Sequence, residues 1–135
     1  MQPKTLLDTD VLSGLMRKNP IALNRARGYL QNYPQFTISL VTRFEVLRGL
    51  KAKCATTQLL AFHAFCENNE VLPITDAVIV CAADIYADLH SRGQLISDAD
   101  ILIAATAIED GLVVATNNLA DFERVATLQI DNWLA

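Results

Sequence analysis

Short apolar runs alternate along the chain with longer stretches whose apolar positions recur at helical spacing. That alternation predicts an α/β domain on a mainly parallel sheet. Thr5 to Leu7 reads as a first buried strand, ending at Asp8. Val11 to Arg17 reads as a short helix, and Pro20 is placed to open another running toward Asn32. Phe36 to Ser39 is a second strand. Thr42 to Lys53 is a helix with Val46, Leu47 and Leu50 on one face, and Thr56 to Asn68 is the next. Val71 to Ile74 is a third strand, after which Thr75 caps a long helix through Ser91. Ser97 or Asp98 opens a strongly apolar helix through Ile108, and Gly111 ends it. Leu112 to Ala115 is a fourth, fully buried strand. Leu119 to Val125 is a short helix or turn, and Leu128 to Ile130 is an edge strand.

The length of 135 residues and the 52% hydrophobic content suit one domain, residues 1–135, around a well-covered core. No linker, repeat or low-complexity segment interrupts it. No run of eighteen apolar residues exists, and Gln2, Pro3, Lys4 and the early Asp8 do not read as a signal peptide. The expectation is a cytoplasmic protein without a membrane partner. Cys54, Cys66 and Cys81 lack CxxC spacing and are odd in number, so small buried hydrophobes explain Cys66 and Cys81 better than disulfides or zinc. His63 and His90 have no partners at ligand spacing.

Charge adds what the apolar pattern omits. The net charge of −4 argues against a polyanionic partner, but the distribution is lopsided. Residues 11–65 hold eight basic side chains against the single acid Glu45, and residues 66–135 hold twelve acids against Arg92 and Arg124. Such asymmetry hints at nucleic-acid contact, while solvated helix faces or a partner protein with charged patches give the same pattern.

The acids stand where strands end and helices begin. Asp8 follows a strand that is apolar throughout, and ligand sites of parallel sheets lie outside the carboxyl ends of the strands. Asp10 is better placed than Asp8 to cap a helix starting at Val11, which leaves Asp8 without a simple structural role. Thr42 to Glu45 has the T-x-x-E form of a capping box, yet a glutamate in that first turn also points to the carboxyl edge. Asp98 and Asp100 flank a helix start, where a cap or the helix dipole accounts for them equally well. Asp121, after Thr116 and Asn117, suits a turn. Gathered at one sheet edge, such acids repel and raise one another's pKa values. A hard cation removes the conflict, and magnesium takes carboxylate oxygens plus water. No lysine follows Lys53 to neutralise them. Acids with a metal are a common device for phosphodiester hydrolysis.

The segments Leu6–Thr9, Phe44–Gly49, Asp100–Ala105 and Val114–Phe122 resemble, in order and spacing, the motifs of PIN-domain ribonucleases, most closely the VapC toxins of type II toxin–antitoxin pairs. The resemblance runs from Thr5 to about Trp133. It implies a three-layer α/β/α sandwich and RNA cleavage dependent on Mg²⁺ or Mn²⁺. It also implies a homodimer and a VapB-like antitoxin whose C-terminal tail occupies the active-site groove. By position, Asp8, Glu45 and Asp100 match the strongest acidic positions and Asp121 a more variable fourth. Thr9, Thr116 and Asn117 are the implied supporting or water-binding groups, with Asp98 ranked below Asp100 because the apolar Ile101–Ala105 run sets the register. Arg17, Lys18, Arg43 and Arg48, in the basic segment, are the expected phosphate contacts. Some relatives cut initiator tRNA, so structured RNA is an expected substrate.

The resemblance favours Asn where this chain has Asp10, so Asp10 either adds charge to the site or caps its helix. Two rivals follow from the same residues. Leu6 to Asp10 contains a D-x-D of the haloacid dehalogenase type, with Asp8 as covalent nucleophile, although Val11 stands where that family favours Gly. A non-catalytic binding domain on the same fold is the other, although such a domain has no need to keep all four acids.

Overall fold

The computed structural model describes residues 2–135. Its elements run β1 (Thr5–Leu7), α1 (Thr9–Met16), α2 (Pro20–Leu30), β2 (Thr37–Ser39), α3 (Leu40–Ala52) and α4 (Thr56–Asn68). They continue with β3 (Glu70–Leu72), α5 (Asp76–Ser91), α6 (Asp98–Asp110), β4 (Val113–Ala115), α7 (Leu119–Phe122) and β5 (Ile130–Asp131). The five strands form one sheet in the order β3-β2-β1-β4-β5, and every neighbouring pair is parallel. The sheet expected to be mainly parallel is wholly so, and the final strand lies at its edge.

Period-two alternation divides the core. Leu6 and Val114 point to one face, where Leu89 of α5, Ile103 and Ala107 of α6 and Phe122 of α7 cover them. Leu7, Ile38 and Ala115 point to the other, against Val11, Leu12, Ala26, Tyr29, Val46 and Phe62. Helices on both faces of a parallel sheet make the three-layer α/β/α sandwich. Val78 and Ala82 of α5 pack on Ile101 and Ala105 of α6. Among the described residues no helix is long and apolar enough to cross a membrane. The three cysteines are free thiols.

Helix ends follow local chemistry, and two of the starts differ from expectation. Thr75 accepts from the Val78 N–H, and Gly111 ends α6 at φ 67°, a left-handed conformation that glycine adopts without steric cost. The helix expected from Val11 begins at Thr9, and its N-cap is Asp8, whose Oδ1 accepts from the Thr9 N–H at 2.7 Å. Asp8 therefore has the capping role assigned above to Asp10. The helix expected from Thr42 begins at Leu40, because the Ser39 hydroxyl accepts from the Thr42 N–H at 3.0 Å. The T-x-x-E capping box is thereby overturned: Glu45 lies in the second turn, too far along to reach the helix start.

β1 occupies the topological switch point. The chain moves from β1 outward to β2 and β3, then returns to place β4 on the other side of β1. Crevices at such points, outside the carboxyl ends of the strands, are where open α/β sheets bind ligands. The loops after β1, β2 and β4 all open there. So does the first turn of α6, which runs back across the sheet into β4.

Candidate active site

Four of the expected acids meet at this edge. Asp8 is only 6% exposed. Its Oδ1 is held by the Thr9 N–H, and its Oδ2 accepts from the Thr116 hydroxyl at 2.8 Å, a bond between β1 and β4 that spans the switch point. Glu45 reaches the same edge from α3, where its Oε1 accepts from the Thr9 hydroxyl at 2.7 Å. Asp100, half-buried in the first turn of α6, follows the N-cap Ser97, whose hydroxyl accepts from the Asp100 N–H at 3.1 Å. Asp121 stands in the single-turn helix α7.

Asn118 joins the last two. Its amide nitrogen lies 3.3 Å from Asp100 Oδ2 and 3.0 Å from Asp121 Oδ2. An amide offers two donors on that nitrogen, so one side chain serves both carboxylates without adding charge. Asn118 occupies the N-cap position of α7 but makes no side-chain cap bond. Sequence reasoning passed over it; the signal available was an amide at a helix start three residues ahead of an acid. Thr42, also passed over, places its hydroxyl 3.2 Å from the Thr9 oxygen, where it donates to Thr9 while Thr9 donates to Glu45.

The supporting residues divide. Thr9 and Thr116 touch the acids directly. Asn117 acts through its backbone N–H, which donates to Asp10 Oδ2 at 2.9 Å, while its side-chain oxygen accepts from Asn132. Asp98 is exposed at the first position of α6. Asp10 holds the Asn117 turn through Oδ2, and its Oδ1 is buried with no hydrogen-bond partner among the described residues.

The carboxylates feel one another. Burial pushes the Asp8 carboxyl up to about 7, the Asp10 charge adds to this, and the bonds from Thr116 and Thr9 work against it. Burial also raises Asp100; the Ser97 bond opposes that, and the charges of Asp121, Glu45 and Asp10 add to it. The acids are thus near enough for mutual repulsion. Among the described residues, however, no three acidic, histidine or cysteine side chains form a ready-made metal-binding group.

A groove of about 680 Å³ opens beside Thr9 and Glu45 and runs between α1, α2, α3 and α4. Its floor is apolar, with Leu12, Leu50 and Phe62, and Arg17, Arg27 and Lys53 are among its lining residues. Of the other basic candidates, Lys18 is exposed just after α1 at φ 60°. Arg48 is exposed, stacks over the Phe44 ring at 5.2 Å and lies 3.6 Å from Glu45 Oε2. Arg43 is half-buried: its Nε is shielded without a partner among the described residues, and its guanidinium approaches the Cys66 thiol.

The PIN domain family matches residues 5–128. The tRNA(fMet)-specific endonuclease VapC of Salmonella typhimurium is 32% identical over 131 residues, which cover 96% of this chain and 98% of that protein. Ribonuclease VapC2 of Haemophilus influenzae is 29% identical over 132 residues, covering 97% and 98%. The DNA-bound VapBC structure from Salmonella typhimurium superposes with a TM-score of 0.84 at 32% identity, covering 98% of this chain and 99% of that one. VapBC2 from Rickettsia felis, bound to a promoter DNA fragment, superposes at 0.86 with 23% identity, covering 96% and 98%, a likeness of fold. Matched by the family model over residues 5–128, and by a curated relative and a solved structure at 32% identity over nearly its whole length, the chain belongs to the PIN domain family, on its VapC branch.

Proposed function

We propose that the chain is a divalent-metal-dependent endoribonuclease, the toxin of a toxin–antitoxin pair, hydrolysing RNA phosphodiester bonds with tRNA among its substrates. The observation that carries this is the meeting of Asp8, Glu45, Asp100 and Asp121 at one sheet edge, held by Thr9, Thr116 and Asn118 rather than by buried cations. The relatives' names, ribonuclease and tRNA(fMet)-specific endonuclease, support the activity and the substrate. With the family assigned, the phosphotransferase reading of Leu6 to Asp10 loses its basis.

The residues fit a hard divalent cation. All the donors are oxygens, the acids raise one another's pKa values, and Asp10 Oδ1 is a buried acceptor without a donor. An all-oxygen donor set suits Mg²⁺ or Mn²⁺, and magnesium commonly keeps several waters beside its carboxylates. Asp8, Glu45 and Asp100 would hold the ion, with Asp121 assisting. When bound, the ion lowers the pKa of water and offsets the charge that builds on the phosphate.

The chain's own part is orientation. Thr9 and Thr116 fix both oxygens of Asp8, and the Thr9 hydroxyl turns Glu45 toward it. Asn118 keeps Asp100 and Asp121 side by side despite their repulsion. Arg17, Lys18 and Arg48 supply phosphate contacts, and Lys53 in the groove joins them. Arg43, half-buried with its Nε shielded, is the least accessible of the expected contacts. The apolar groove with its basic lining suits the tail of a VapB-like antitoxin, and the VapBC assembly of the 32%-identical structural neighbour supports a partner of that kind. A homodimer belongs to the same proposal; exposed Ile79, Val80 and Tyr86 on α5 offer an apolar face for it.

Inducible expression in a bacterial host, followed by sequencing of RNA ends, tests this reading. The wild type should arrest growth and produce new RNA ends at few positions. Asp8→Asn should do neither while melting as a folded protein. Growth arrest undiminished in the Asp8→Asn variant contradicts the proposal.

A further inference from the structure

Asp10 has no structural explanation of the ordinary kind. The helix-cap role open to it is filled by Asp8. A place in the first turn of α1 suits the helix dipole, but that does not explain burying a carboxylate oxygen with no donor. An unsatisfied buried acceptor is costly, and an asparagine could hold the same turn, because its carbonyl oxygen also accepts from the Asn117 N–H. What aspartate adds over asparagine is charge and an oxygen in place of a donor nitrogen.

We propose that Asp10 is a further cation-binding carboxylate of this site, offering Oδ1 to the divalent ion while Oδ2 anchors the Asn117 turn. The inference rests on the metal-dependent reading above. The two oxygens of Asp10 divide the work. Oδ2 accepts from the Asn117 N–H at 2.9 Å, and Oδ1, in the first turn of the helix that Asp8 caps, is the acceptor left free. A water satisfies a lone pair there, but it does not offset two adjacent negative charges. A hard cation does both. The same aspartate then ties the cation to the turn carrying Asn118, and so to Asp100 and Asp121.

The test is Mn²⁺ binding to the purified full-length chain, read from the signal of free Mn²⁺ in electron paramagnetic resonance, with melting temperatures taken in chelator. Asp10→Asn keeps the bond to Asn117 and removes the charge; Asp10→Ala removes both. The expected result is a Kd for Mn²⁺ weakened roughly tenfold or more in both variants. In chelator, Asp10→Asn should melt no lower than the wild type. Wild-type affinity in Asp10→Asn with impairment confined to Asp10→Ala overturns the inference alone, reducing Asp10 to a turn anchor. So does an affinity loss that merely tracks a lower melting temperature in chelator. A wild type that binds no Mn²⁺ at millimolar concentration overturns the inference and the metal-dependent reading together.

Discussion

Thr116 donates its hydroxyl to Asp8 at 2.8 Å across 108 residues of sequence, and this bond closes the gap between β1 and β4 where the strand order reverses. The same Thr116 oxygen accepts from the Asn118 N–H at 2.9 Å. One buried hydroxyl therefore orients the central acid and shapes the turn that carries Asn118.

Thr116→Val tests that arrangement. It preserves shape but leaves the buried Asp8 carboxylate short of a donor. The expected cost is about 1–3 kcal/mol in urea unfolding at neutral pH. It should shrink below pH 5, where Asp8 carries its proton. A cost independent of pH would mean that Thr116 acts through packing alone.

Stability of the metal-free protein should fall as pH rises. Asp8 holds its proton up to about pH 7 in the folded chain, against an ordinary value of 3.8. Between these values the folded state binds more protons than the unfolded state, so each step upward favours unfolding. The group contributes no penalty below pH 4 and its full penalty above pH 7. Denaturation in chelator at pH 5 and pH 8 should show the higher midpoint at pH 5, and Asp8→Asn should flatten the difference.

Asn118→Ala removes the amide between Asp100 and Asp121. Cleavage should drop roughly 10–100-fold, the range for groups that orient ligands without being ligands. In chelator, Asn118→Asp should melt lower than Asn118→Ala, because it sets a third negative charge between two. Steady-state cleavage rates, with melting curves to confirm folding, distinguish this from a merely surface residue.

Much of this architecture was legible because the deciding forces are local. Leu6 and Leu7 declare a buried strand, Thr75 a helix start and Gly111 a helix end. The two shifted starts, at Thr9 and Leu40, were not legible in the same way. Both depend on where a three-residue strand stops, and that is decided by its partners in the sheet. Ser39 and Thr42 each look like a cap, and only the end of β2 selects Ser39. The acids Asp8 and Asp100 were visible as candidates, whereas the link through Asn118 depends on α6 and the β4–α7 turn meeting in space. The half-burial of Arg43 was equally hidden, since helical spacing does not show that α4 places Cys66 against it.

Arg17 and Lys53 share the lining of the groove beside Glu45. Replacing both with alanine should weaken RNA binding and reduce the slope of log K against log salt by about 1–2. Filter binding across a salt series with catalytically silent Asp8→Asn protein reads this directly. An unchanged slope would assign the phosphate contacts to other residues.

The most direct measurement is cleavage of a purified tRNA pool by the wild type and by Asp100→Asn, each in Mn²⁺, in Mg²⁺ and in chelator. The wild type should cleave with either ion and not in chelator. The variant should lose at least about a hundredfold in rate while its melting curve stays cooperative. Cleavage that persists in chelator, or that survives Asp100→Asn at the wild-type rate, would contradict a metal site built on these acids.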